Sequence, residues 1–175
     1  MTLPRRHLLA AAAAIAVLIV PALARAQQDS DRDGLPDAVE EQLATDPQVA
    51  EVLQTVGTFT HPPSDKGAMQ FAQVEFGNVG RQRWLWAIHF QKPYSFTNAT
   101  LILYLDADND PKTGRTGMGC EYMFSHNEGA GGVTAFAPDG TPGTPTATRV
   151  ALHGGVLYMC MDCPIKQENG KSVFR

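Results

Sequence analysis

Cysteine is scarce in this chain: Cys120, Cys160 and Cys163 are the only three in 175 residues. The pair in "CMDC" lacks the following histidine that covalent haem attachment needs, and no second pair completes a four-ligand zinc site. Clustered Lys or Arg is missing too, which argues against nucleic acid or an anionic membrane as partner. No G-x-S-x-G elbow, H-E-x-x-H helix or phosphate loop occurs, so the sequence offers no catalytic motif. A glycosidase would need two carboxylates held about 5 to 9 Å apart, and no pattern here sets such a pair.

A long apolar span is also absent. Residues 1–26, "MTLPRRHLLAAAAAIAVLIVPALARA", carry Arg5 and Arg6, an apolar stretch from Leu8 to Val20, and Ala24-Arg25-Ala26 as a small-x-small cleavage site. The apolar stretch is shorter than the ~18 residues of a membrane span, and Pro21 ends it. It reads as an export signal, by the Sec or the twin-arginine route, with a retained anchor as the alternative. Cleavage after Ala26 leaves about 149 residues, the size of one domain and an appendage, and moves the formal charge from -4 to about -7. The expectation is a secreted, periplasmic or cell-surface protein with no membrane contact once the signal is removed. In that oxidising setting the odd cysteine count suggests one disulfide and one leftover thiol. Cys120 with either partner, a Cys160–Cys163 bridge, and three buried thiols all remain open.

What is abundant is aspartate, in two short stretches. "DSDRDGLPDAVEEQLATDP" sets Asp29, Asp31, Asp33 and Asp37 around Gly34. Like charges that close repel unless water or a cation separates them. With Asp29 as position one of a calcium loop, Asp31 is three, Asp33 five, Gly34 six, Leu35 seven, Asp37 nine and Glu40 twelve. These are the ligand positions of a twelve-residue EF-hand loop, with glycine at its sharp turn and Leu35 offering only its carbonyl. Calcium wants six to eight oxygens, and alternate residues in a tight loop aim theirs inward. The other reading is an acidic, solvated tail. No entering helix precedes the loop. The pattern D-x-D-x-D-G-L-P-D-x-x-E without that helix resembles the bacterial thrombospondin type 3 repeat and, more loosely, the dockerin loop. The resemblance implies a structural calcium site in an extracellular protein.

Downstream, "AVEEQLATDPQVAEVLQTVG" spaces Val39, Leu43, Val49, Val52, Leu53 and Val56 as two short helices broken at Asp46-Pro47. "HPPSDKG" (His61–Gly67) marks a boundary, giving segments 1–26, 27–58 and 59–175. From Met69 the pattern is β. "QRWLWAIHF" alternates Trp84, Trp86, Ile88 and Phe90 onto one face, whereas "ATLILYL" is nearly continuous, as when both faces are covered. "CEYMF", "GVTAFA", "TRVAL" and "GVLYMCM" follow between turn clusters. The fold class expected is mainly β, an antiparallel, jelly-roll-like β-sandwich preceded by a calcium loop and one or two short helices. "ENGKSVFR" ends within what reads as another strand, so a C-terminally incomplete sandwich is part of the expectation.

The second acidic stretch, "LYLDADNDPKTG", puts Asp106, Asp108 and Asp110 at alternate positions after a strand, and "GCEYMF" then brings Glu121. Three aspartates and a downstream acid suit an oxygen-ligated cation, and equally a turn in which Asp and Asn bond their own backbone. Asp106, Asp108, Thr113, Gly114, Glu121 and Tyr122 match the aspartate-rich turn of carbohydrate-binding module family 9 and its DOMON-type relatives; the family more usually has aspartate at the Glu121 position. This resemblance spans about Phe71 to Ile165. It implies a secreted β-sandwich, often with calcium and often attached to larger extracellular enzymes.

Trp84 and Trp86 could form a sugar-stacking platform, but sharing a face with Ile88 and Phe90 they read as core. Tyr94, Tyr104, Tyr122 and Tyr158 are further rim candidates. Some DOMON relatives hold haem; His89, His126, Met123, Met159 and Met161 offer ligands, yet no spacing selects a pair. Asn98 heads a formal glycosylation triplet and reads as chance. The whole is expected to be a non-catalytic calcium-binding protein that recognises an extracellular polysaccharide or cell-surface glycan. A calcium-stabilised adhesive module without sugar binding, or the front piece of a secreted hydrolase, are the alternatives.

Overall fold

The computed structural model describes residues 28–60, 69–80, 82–92, 100–128, 130–164, 167–168 and 171–172. Residues 1–26, read as an export signal, the expected boundary at His61–Gly67, Tyr94 and Asn98 lie outside them. Among the described residues no helix is long and apolar enough to cross a membrane. The chain divides into two compact units, Met1–Ala50 and Glu51–Arg175.

The first unit contains the aspartate loop and one helix, α1 (Asp37–Leu43). Pro36 precedes it in extended conformation, a residue whose fixed φ suits a helix start, and Asp37 and Glu40 place acid in the first turn. Ala44 ends it in the left-handed region at φ 56°, and the Thr45 N–H returns to the Glu40 carbonyl at 3.0 Å. The second expected helix is not formed. Asp46–Val49 makes a turn instead, and Gln54–Thr58 is a strand, β1. The stretch after Pro47 is too short to offset the cost of helix nucleation, and its Val and Thr residues suit an extended ladder. Gly77 allows this approach, since a Cβ there would stand 2.4 Å from the Val52 carbonyl oxygen.

The second unit is mainly β. With β1, strands β2 (Phe71–Asn78), β3 (Arg83–Phe90), β4 (Thr100–Leu105), β5 (Tyr122–Asn127), β6 (Ala130–Ala135), β7 (Thr146–His153) and β8 (Val156–Asp162) form one sheet. Its order is β1-β2-β3-β8-β7-β6-β5-β4, antiparallel throughout, curled into a half-barrel. The curl follows from the core. Trp86 and Phe124 have ring centroids 6.3 Å apart, although β3 and β5 are four strands apart in the sheet, which would be ~19 Å if it lay flat. Val74, Phe76, Trp84, Trp86, Ile88, Leu101, Leu105, Phe124, Leu157 and Met159 fill the concave side. β9 (Gln167–Glu168) and β10 (Lys171–Ser172) pair separately as a two-stranded ladder.

Two readings of strand environment are reversed. β4, expected to be covered on both faces, is an end strand whose Ile102 is 47 % exposed. β3, expected to alternate, is buried at every residue from Trp84 to Ile88. The cysteines also differ from the expected disulfide: all three are free and buried. Cys163 faces the core with Met159 and Met161, whereas Cys160 falls on the opposite face by strand alternation, so these two cannot bridge. Burial pushes the Cys160 thiol up to about 11 and that of Cys163 to about 12.

His126 shares the core face of β5 with Phe124 and is 2 % exposed; burial lowers its pKa. A depressed histidine binds its proton more readily once unfolded, so stability is present above the unfolded pKa near 6.5 and is lost as pH falls below it. Thermal melts at about pH 7.5 and about pH 5.5 should show this loss, and His126→Phe should flatten the difference. An identical pH dependence in the variant would remove His126 as the cause.

Candidate metal centres

In the first unit the loop folds around its own carboxylates. The Asp29 Oδ1 and Oδ2 accept from the N–H groups of Arg32 at 2.7 Å and Gly34 at 3.0 Å. Asp31 accepts from Asp33 N–H at 3.3 Å and Asp33 from Leu35 N–H at 2.8 Å. Gly34 takes φ +97°, which a side-chain-bearing residue adopts only with strain. Together these bends bring carboxylate oxygens of Asp29, Asp31 and Asp33 within 4.8 Å of one another, and one of Glu40 equally close to Asp31. Leu35 buries its side chain, as expected of the seventh position.

Asp37, expected at the ninth ligand position, ties the loop to Ser30. Its two oxygens accept from the Ser30 N–H at 2.7 Å and the Ser30 hydroxyl at 2.8 Å, closing the loop across seven residues. Nothing in the sequence singled out Ser30, because a serine inside an acidic run carries no signal of its own.

Glu40 is the informative residue. It is fully buried, and neither Oε1 nor Oε2 has a hydrogen-bond partner. Burial, followed by the charges of Asp31, Asp33, Asp37 and Asp29, pushes its carboxyl up to about 7. Burial and then its aspartate neighbours also raise Asp31, against a backbone hydrogen bond from Asp33 that lowers it. A buried carboxylate without a donor is costly, and four more acids make it costlier. A divalent cation among them reverses the sign of every one of these interactions.

In the second unit the turn after β4 gathers Asp106, Asp108 and Glu121, with carboxylate oxygens within 4.8 Å of one another. Asp106 is buried and accepts from Asn109 N–H at 2.6 Å. Glu121 reaches back to the Ala107 N–H at 2.6 Å. The Thr113 hydroxyl lies 3.2 Å from both Asp108 oxygens and 2.8 Å from Glu121 Oε1. One hydroxyl carries one proton, so it satisfies only one of these acceptors at a time. Gly114, at φ +64°, is required here: a Cβ would sit 2.3 Å from the Cys120 carbonyl oxygen. Asp110 stands outside the group and accepts from Lys112 N–H at 3.0 Å, a turn contact.

Trp84 and Trp86 are core, 4 % and 7 % exposed, with centroids 5.0 and 4.2 Å from the Phe76 ring. They are not carried forward as a sugar platform. His89 pairs with Glu75 at 2.7 Å, and His126 is buried on the core face of β5. Compared with models of protein families, with curated proteins and with solved structures, the chain has no match.

Proposed function

We propose that this is an exported, non-catalytic calcium-binding protein whose β unit recognises an extracellular glycan. The observation that carries the calcium reading is Glu40, a buried carboxylate with both oxygens lacking a donor, set beside Asp31, which itself gathers with Asp29 and Asp33. Oxygen donors alone, in a flexible loop, suit calcium better than magnesium, which demands octahedral geometry and gives up water reluctantly. Asp106, Asp108 and Glu121 are the second proposed site, with Thr113 and the Gly114 turn holding their spacing. Export rests on the charged start, apolar stretch and cleavage site of residues 1–26.

The thrombospondin-type-3-like loop and the family 9 carbohydrate-binding resemblance belong to this proposal, as does the sandwich, whose two layers would be the halves of the curled sheet that meet at Trp86 and Phe124. Burial of both tryptophans favours a second reading, an adhesive or structural module stabilised by calcium without a sugar site. The front piece of a secreted hydrolase is the third.

Calorimetric titration of the mature chain should give calcium binding at ~10⁻⁴ to 10⁻³ M, the range of extracellular modules. A variant carrying Asp29→Ala, Asp33→Ala and Glu40→Ala should lose one binding event. Undiminished calcium uptake by that variant would remove the N-terminal site.

A further inference from the structure

Two arginines meet in a cleft on the second unit that the calcium sites do not use. It opens where β7 changes partner: Thr146–Thr148 pair with β6, and from Arg149 onward β7 pairs with β8. Arg83, Val133, Thr148, Arg149, Cys160 and Asp162 are among its walls, and its volume is about 250 Å³, several times the ~30 Å³ share of a water molecule. The Thr148 hydroxyl donates to the Cys160 carbonyl and ties the two strands together at its floor. Arg83 Nε donates to Asp162 Oδ1 at 2.9 Å, so one guanidinium is already engaged. Arg149 is exposed, and its guanidinium has no hydrogen-bond or ion-pair partner among the described residues.

The lining sets two guanidiniums against the Asp162 carboxylate, and Glu51 is a further acid whose charge reaches Cys160, in a chain of net charge -4. With Arg83 on Asp162, the Arg149 guanidinium is the charge left to pair, and one negative charge pairs it; a second would be repelled by these acids. The planar fork of Arg149 matches two oxygens of such a group. Cys160 in the wall is not a nucleophile here, since burial holds it as the thiol.

We propose that this cleft takes the singly charged group of an acidic saccharide, a carboxylate or a sulfate ester, on Arg149 with Arg83 beside it. The proposal rests on the glycan reading above and names the chemical class of that glycan.

The test is calorimetry on the mature chain at fixed calcium with trigalacturonic acid, its carboxyl-reduced neutral form and a sulfated trisaccharide. The acidic sugars should bind and the neutral one should not. Arg149→Gln should weaken the acidic ligand at least tenfold with an unchanged melting temperature, and Arg149→Lys should restore part of the loss. Preference for the sulfated probe identifies a sulfate ester as the natural group; preference for the uronate identifies a carboxylate. Equal binding of neutral and acidic sugars, or an unaffected Arg149→Gln, overturns the cleft and leaves glycan recognition standing. If no probe binds to folded protein, cleft and glycan reading fall together.

Discussion

Glu40→Gln should act in opposite directions with and without calcium. In chelator the wild-type loop keeps a buried carboxylate with no donor beside Asp31, in the field of Asp33, Asp37 and Asp29. Glutamine has nearly the same volume and no charge, and its amide can donate to those carboxylates, so it should stabilise the calcium-free chain by about 1–3 kcal/mol through the hydrogen bond gained and the repulsion lost. In calcium the same change removes the bidentate ligand and replaces an anion with an amide. Affinity should then fall by an order of magnitude or more, and the calcium-dependent rise in melting temperature should shrink. At tenfold excess over its dissociation constant calcium stabilises the wild type by ~1.4 kcal/mol, which sets the size of the shift to look for. Melts of both proteins in chelator and in calcium form a complete cycle. A variant that is less stable in both would mean Glu40 is an ordinary packed side chain, and the calcium assignment would lose its main support.

Trp86→Ala should cost the second unit ~3–5 kcal/mol, the range for removing a large aromatic from a packed core. Its ring sits 4.2 Å from Phe76 and 6.3 Å from Phe124, so it is the contact through which β3 meets β5 across the curl. Deleting it opens a cavity where the two halves of the sheet hold each other. Trp86→Phe should be far milder, below ~1.5 kcal/mol, because it preserves an aromatic ring and discards an indole N–H that has no acceptor. Trp84 gives the contrast. Its N–H donates to the Cys163 carbonyl at 3.1 Å, so Trp84→Phe should cost more than Trp86→Phe by leaving that oxygen without its donor. Urea denaturation of the three variants reads these differences directly. Should Trp86→Ala keep full stability while sugar retention disappears, the ring would have to be a binding surface.

The local features were legible in the sequence because their causes are local. Alternate aspartates and Gly34 specify the loop, since each carboxylate reaches an N–H only a few residues away. The strands β3 to β8 were readable from short apolar runs between turn residues, signals that act over a few positions. Helix α1 ended where Ala44 and the following Pro47 allow. What neighbours a strand in space was not readable. β3 and β4 have similar apolar content, yet one is buried on both faces and the other ends the sheet, and only the sheet order decides which. β1 looked helical because Val56 continues the apolar spacing of Val49, Val52 and Leu53; pairing with β2 settled it. Asp37 and Asp110 have the right residue type at the right spacing, but the fold gives Asp37 the Ser30 N–H and hydroxyl and leaves Asp110 outside the group formed by Asp106, Asp108 and Glu121. Arg83 and Arg149 share a cleft because β8 lies between their strands, a proximity that no local pattern encodes. Spacing along the chain determines which groups can turn toward one another; burial and strand order, set by the whole core at once, determine which of them do.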